Sequence, residues 1–173
     1  MKKYLKANYK LIIVKLVVVA ILLTLDLVSK YLMQRHFEQG GKDITLIKGV
    51  LSFSYCENDG VAWSMFAGKG KIIAILSIVL IAGIIVFDVF NTNKNFFNVG
   101  GFALIIAGAI GNCVDRFACD YRVRDFISAD FINFPVFNVA DMAITVGCIF
   151  YIIYFLFYAK KYDKEQINGQ NSK

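Results

Sequence analysis

Four apolar runs dominate this chain and restrict the solvent in which it can fold. Leu11–Leu25 is interrupted only by Lys15, while Ile72–Phe87, Phe96–Val114 and Met142–Ala159 carry no charged residue. With its flanks, each run approaches the ~20 residues that a helix needs to cross a hydrocarbon layer of about 30 Å. None has a polar stripe, as expected of helices that face lipid or pack tightly in a bundle. A composition that is 58% hydrophobic, with a single proline, is also foreign to soluble globules. The expected fold is an all-α membrane protein of one domain, with four transmembrane helices at about 11–29, 71–90, 96–114 and 139–159.

The distribution of charge orients those helices. Lys2, Lys3, Lys6 and Lys10 crowd the start, and Lys160, Lys161 and Lys164 follow the last span. Lysines counted near span ends place both termini in the cytoplasm, which an even number of spans allows. Residues 31–70 and 115–138 then form extracytoplasmic loops, 88–95 a short inner loop, and 160–173 a polar tail. The net charge of +6 suggests no nucleic-acid partner, because it sits at the span ends, and the outer loops interleave basic residues with acidic ones. The first span is long and no small-residue cleavage site follows it, so it is expected to stay as an anchor.

The first outer loop contains two β-branched and aromatic runs, Ile44–Ile47 and Val50–Tyr55, separated by Lys48-Gly49. That pattern predicts a hairpin, and so a small extracytoplasmic β-element between helices 1 and 2, with Trp63 at headgroup level. The second outer loop mixes aromatics with both charge signs up to Pro135, and is expected to hold a short amphipathic helix or a loop.

Much chemistry is excluded by what the chain lacks. With His36 as the sole histidine, a paired-histidine zinc motif is impossible, and no nucleophile elbow, P-loop or dinucleotide-binding glycine pattern exists. Cys56, Cys113, Cys119 and Cys148 show neither metal spacing nor a CxxC pair, and free thiols are expected. No cofactor or metal is called for. What remains is a set of carboxylates at span ends: Asp26, Asp115 and Asp141.

Acids at membrane depth are costly and by default functional. Each also has a plainer explanation. Asp26 has Lys30 four residues on, a favourable helical pair, and a structural role is preferred for it. Asn138 followed by Asp141 resembles a capping box at the start of the fourth helix. Asp115 ends the third helix, where the dipole disfavours a carboxylate, and an interfacial salt bridge with Arg116 is its alternative. Span three runs outward to Asp115 and span four runs inward from Asp141, so both are expected at one depth. At a separation of ~4 Å and an effective dielectric of ~20, two carboxylates repel by about 4 kcal/mol. That splits their pKa values by roughly three units, leaving one acid and one base for hydrolysis.

Asn58-Asp59-Gly60-Val61-Ala62-Trp63, Gly111-Asn112-x-x-Asp115-Arg116, Arg124-Asp125-Phe126 and Phe137-Asn138-x-Ala140-Asp141, in that order, resemble the signature of lipoprotein signal peptidase, a four-span bacterial aspartic endopeptidase. The resemblance covers the whole chain. It implies removal of signal peptides from diacylglyceryl-modified prolipoproteins on the N-terminal side of the lipidated cysteine. It further implies Asp115 and Asp141 as the catalytic pair, Asn112 and Asn138 as orienting residues, and Arg116 as support. Asn58 and Gly60 would belong to the outer β-element that cradles substrate. The implied setting is the bacterial cell membrane, with a monomer meeting diacylated precursors and membrane lipid, and inhibited by globomycin-type peptides. Asp26-Leu27-Val28-Ser29-Lys30 lacks the glutamine usual in the family's first motif. The rival reading is a small transporter or channel subunit using intramembrane aspartates, though neither inverted repeats nor broken helices are evident.

Overall fold

The computed structural model describes residues 2–60, 65, 66, 68–91 and 95–159, excepting the side chains of residues 2–8. Trp63, Lys94 and the tail 160–173 therefore lie outside the described residues. Four helices carry the fold: α1 (Lys2–Glu38), α2 (Gly70–Phe90), α3 (Phe96–Ala118) and α4 (Val139–Phe157). All four are long and apolar enough to cross a membrane. α1 runs on past the expected end of its span, through residues assigned to the first outer loop.

α3 is the hub, packing against α1, α2 and α4. Its buried face is built from small residues, Gly101, Ala103, Ala107, Gly108 and Gly111, with Phe102 among them. Small residues let helix backbones approach where lipid supplies no hydrophobic drive. The approach is closest against α4. A Cβ on Gly147 would lie 2.8 Å from the Gly101 carbonyl oxygen, and one on Gly101 would lie 3.0 Å from that of Gly147. α2 fully buries only Gly70 and Ala74, and most of its large apolar side chains are exposed. At the end of the bundle away from the sheet, Lys15 of α1 forms an ion pair with Asp88 in the last turn of α2. The Lys15 ammonium also stands 5.9 Å from the Phe102 ring centre.

The predicted hairpin is present as β1 (Ile44–Ile47) and β2 (Leu51–Asn58), antiparallel, with Ile44 opposite Phe53. Gly49 supplies the positive φ (74°) of the turn, and the Val50 N–H donates to the Ile47 carbonyl at 2.9 Å. Where a short helix or loop was expected in the second connection, Val123–Ala129 instead forms β3. It pairs antiparallel with β2, Asn58 opposite Val123 and Phe53 opposite Ile127, giving the order β1-β2-β3. The β-element is thus shared by both loops. Its first five β3 residues are buried, because that strand lies inward against the helix ends. Past the strand, the Phe126 and Ile127 N–H groups both donate to the Phe137 carbonyl, which ties the approach to α4 onto the free edge of β3.

Candidate active site

α4 begins at Asn138, whose side-chain oxygen accepts from the Asp141 N–H at 3.0 Å, while Asp141 Oδ2 accepts from the Asn138 N–H at 3.1 Å. The capping box is real. It does not exhaust either residue. Asn138 Nδ2 reaches Asp125 Oδ1 at 2.6 Å and Asn112 Oδ1 at 3.1 Å, and Asn112 Nδ2 donates to Asp141 Oδ1 at 2.7 Å. Asn58 at the end of β2 donates to the other Asp125 oxygen at 3.1 Å.

Three asparagines therefore converge on two carboxylates, and each has its amide pinned by a donor whose identity is unambiguous. The Gly60 N–H holds Asn58 Oδ1 at 3.0 Å, the Asp141 N–H holds Asn138 Oδ1, and the Lys30 ammonium holds Asn112 Oδ1 at 3.0 Å. With the oxygens so occupied, the three NH2 groups face acceptors. Arg116 braces the arc from the β2 side, donating to the Gly60 carbonyl at 2.9 Å and to the Asn112 carbonyl at 3.4 Å.

A cavity of about 600 Å3 opens onto this constellation. Asn58, Gly60, Asn112, Arg116, Asp125 and Asp141 form its polar wall, and Phe134–Phe137 with Met142 and Val146 form much of its apolar one. Burial, reinforced by the neighbouring Asp141 carboxylate, pushes the Asp125 carboxyl up to about 7, against the pull of the Asn58 and Asn138 amides.

Asp115 lies elsewhere. Its side chain has no exposed surface and does not line the cavity. One oxygen accepts from Arg124 Nη2 at 2.5 Å, and the other from the Arg124 backbone N–H at 2.9 Å with the Lys30 ammonium 3.5 Å away. The expected partner Arg116 is not among these contacts. So the carboxylates expected to share one depth are not the two brought to the cavity: Asp125 stands with Asp141, and Asp115 fastens β3 to α3 one residue upstream. The physical reason is the strand. Arg124 points its amide and guanidinium at the end of α3, and alternation then sends Asp125 the other way. The sequence carried no period-2 signal for this strand, because Val123-Arg124-Asp125-Phe126-Ile127 sets its two charged residues side by side between apolar ones.

Asp26 and Lys30 are also interior. Their side chains are within 2% of full burial and 2.8 Å apart, and Asp26 Oδ1 caps the Ala140 N–H at 2.8 Å. Among the described residues no group of His, Cys, Asp and Glu has the geometry to hold a metal ion. The four cysteines are free thiols.

A carboxylate pair on the wall of a largely apolar cavity, in a scaffold of four helices long and apolar enough to cross a membrane, suits a hydrolase working on a membrane-anchored chain. The family model for signal peptidase II matches residues 18–157. The chain belongs to the signal peptidase II family. Lipoprotein signal peptidase of Enterococcus faecalis is 37% identical over 162 residues, covering 94% of this chain and 99% of its own. That of Lactobacillus gasseri is 43% identical over 122 residues, covering 70% of this chain and 78% of its own. A bacterial membrane enzyme solved by the in meso method at 2.3 Å resolution superposes with a TM-score of 0.74 at 28% identity, covering 83% of this chain and 87% of the other. This family member is thus a multi-pass membrane protease, and a transporter or channel role finds no support in these matches.

Proposed function

We propose that Asp125 and Asp141 are the catalytic pair with which this signal peptidase II cuts diacylglyceryl-modified prolipoproteins, on the N-terminal side of the lipidated cysteine. The observation that carries it is the cavity wall: these two carboxylates stand on it, joined through Asn138, whereas Asp115 is sealed behind Arg124 and Lys30. Asp125, with its carboxyl near 7, holds a proton for a large share of the population at neutral pH. It donates that proton to the scissile carbonyl oxygen as a water molecule attacks the carbon. Asp141, fixed by Asn112 and the Asn138 N–H, takes the water's proton and gives it to the leaving amide nitrogen when the C–N bond breaks, while Asp125 takes a proton back from one hydroxyl of the tetrahedral carbon as the new carboxyl C=O forms. Asn58 and Asn138 aim Asp125, and Arg116 with Gly60 keeps the β2 arc against α3.

The apolar wall along α4 suits the acyl chains and the apolar signal segment of a substrate lying in the bilayer. Lysines at both chain ends support cytoplasmic termini, which sets the sheet and the cavity at the extracytoplasmic face of the bacterial cell membrane. A lipidated cysteine anchored in the outer leaflet would present its scissile bond at that level, where water is at hand. Hydrolysis of a diacylated precursor by the purified protein, followed by gel shift with and without globomycin, tests this. Asp125→Asn and Asp141→Asn should each lower turnover by more than about 100-fold. Near-normal turnover of Asp125→Asn would transfer the chemistry away from Asp125 and refute the pair.

A further inference from the structure

Lys30 is a fully buried ammonium on α1, and it does not line the cavity. A lysine ammonium has three donors. Here three acceptors surround it: Asp26 Oδ2 at 2.8 Å, Asn112 Oδ1 at 3.0 Å and Asp115 Oδ2 at 3.5 Å. Two of these are ion-pair partners that any buried cation would need. The third is a neutral amide, and the opposite end of that amide is 2.7 Å from Asp141 Oδ1. An ammonium on the oxygen of a carboxamide draws charge from it and strengthens its N–H as a donor, while forbidding the flipped orientation.

We propose that Lys30 is a positioning residue for hydrolysis, acting on Asp141 through Asn112. The inference rests on the assignment of Asp141 to the catalytic pair. In the sequence, Lys30 is an ordinary i,i+4 partner of Asp26. In the fold, that ion pair instead carries a cation to within one amide of the reacting carboxylate. The charged groups around it are Asp26 on α1, Asp115 and Arg116 on α3, Arg124 and Asp125 on β3, and Asp141 on α4.

Lys30→Met alone strands two buried carboxylates and can fail for that reason. The test is therefore the charge-neutral double variant Asp26→Asn/Lys30→Met, in which the introduced amide oxygen can still accept the Ala140 N–H. The control is Asp26→Asn, which keeps the ammonium. Turnover is measured on a diacylated prolipoprotein and normalised to globomycin-binding sites, so that only folded enzyme is counted. For the double variant kcat should fall about tenfold or more, the scale of a charge-assisted hydrogen bond, with KM within about twofold of wild type. Asp26→Asn should keep most of its kcat. Asn112→Ala should cost much less in the double-variant background than in wild type, because the two residues share one path. A double variant with wild-type kcat, or an Asn112→Ala loss that is fully additive, overturns the positioning role. Activity of Asp141→Asn would instead undo the catalytic assignment beneath it, so the two failures are distinguishable.

Discussion

Asp125→Asn should change how stability depends on pH. In the folded protein the Asp125 carboxyl titrates near 7, against 3.8 in an unstructured chain. Between those values the folded state binds a proton that the unfolded state has released. Stability must then fall as pH rises through that window. A raised carboxyl contributes its full share below pH ~4 and has lost it above pH ~7. At about 1.36 kcal/mol per unit, roughly three units give about 4 kcal/mol as a ceiling on the loss. Asparagine cannot titrate, so the variant lacks this slope whatever fixed offset its amide introduces. Thermal unfolding in one detergent, at pH 5 and pH 8, for wild type and Asp125→Asn, reads the difference directly. The wild type should lose several degrees more than the variant between the two pH values. Parallel shifts in both proteins would mean that Asp125 is ionised in the fold at neutral pH, and the acid role assigned to it would fall.

Asp115→Asn should destabilise by about 3–5 kcal/mol, because it leaves the buried Lys30 and Arg124 charges short of a partner. A variant with wild-type melting temperature and no activity would put Asp115 in the chemistry after all. Asn138→Ser keeps a capping oxygen but cannot extend a donor to Asp125, so it should stay thermally stable and lose most of its turnover; wild-type activity would reduce Asn138 to a cap. Gly147→Ala should cost about 1–3 kcal/mol, since its methyl would press on the Gly101 carbonyl and on Ile105 Cγ1, each 2.8 Å away. An unchanged melting temperature there would mean that α3 and α4 can separate freely.

The spans and the start of α4 were legible because their determinants are local. Hydropathy over some twenty residues makes a membrane helix, and a cap is decided within one turn. The Ile44–Tyr55 hairpin was legible for the same reason. The third strand was not: β3 pairs with β2 across two intervening helices, and nothing within Val123–Ala129 names its partner. Asp125 was hidden by the same cause. Arg124-Asp125-Phe126 stood out in the sequence as part of the family signature, but nothing local gave Asp125 a role, and only the pairing of β3 removes it from water and sets it beside Asp141. Asp115 illustrates the converse. Its position at a helix end correctly marked an unusual carboxylate, but whether such a group faces substrate or an internal arginine depends on what a distant segment brings to it.

The Lys15–Asp88 ion pair has a consequence for how the chain is made. Its members are 73 residues apart. At a synthesis rate of about 5–20 residues per second, the lysine emerges roughly 4–15 s before its partner exists. A lysine at the centre of an inserting helix costs about 2.5–3.5 kcal/mol, and this one, near the start of the span expected at 11–29, incurs some part of that while it waits. The first helix is therefore a provisional occupant of the bilayer. The smallest piece of nascent chain that can settle there without a stranded charge is the two-helix hairpin.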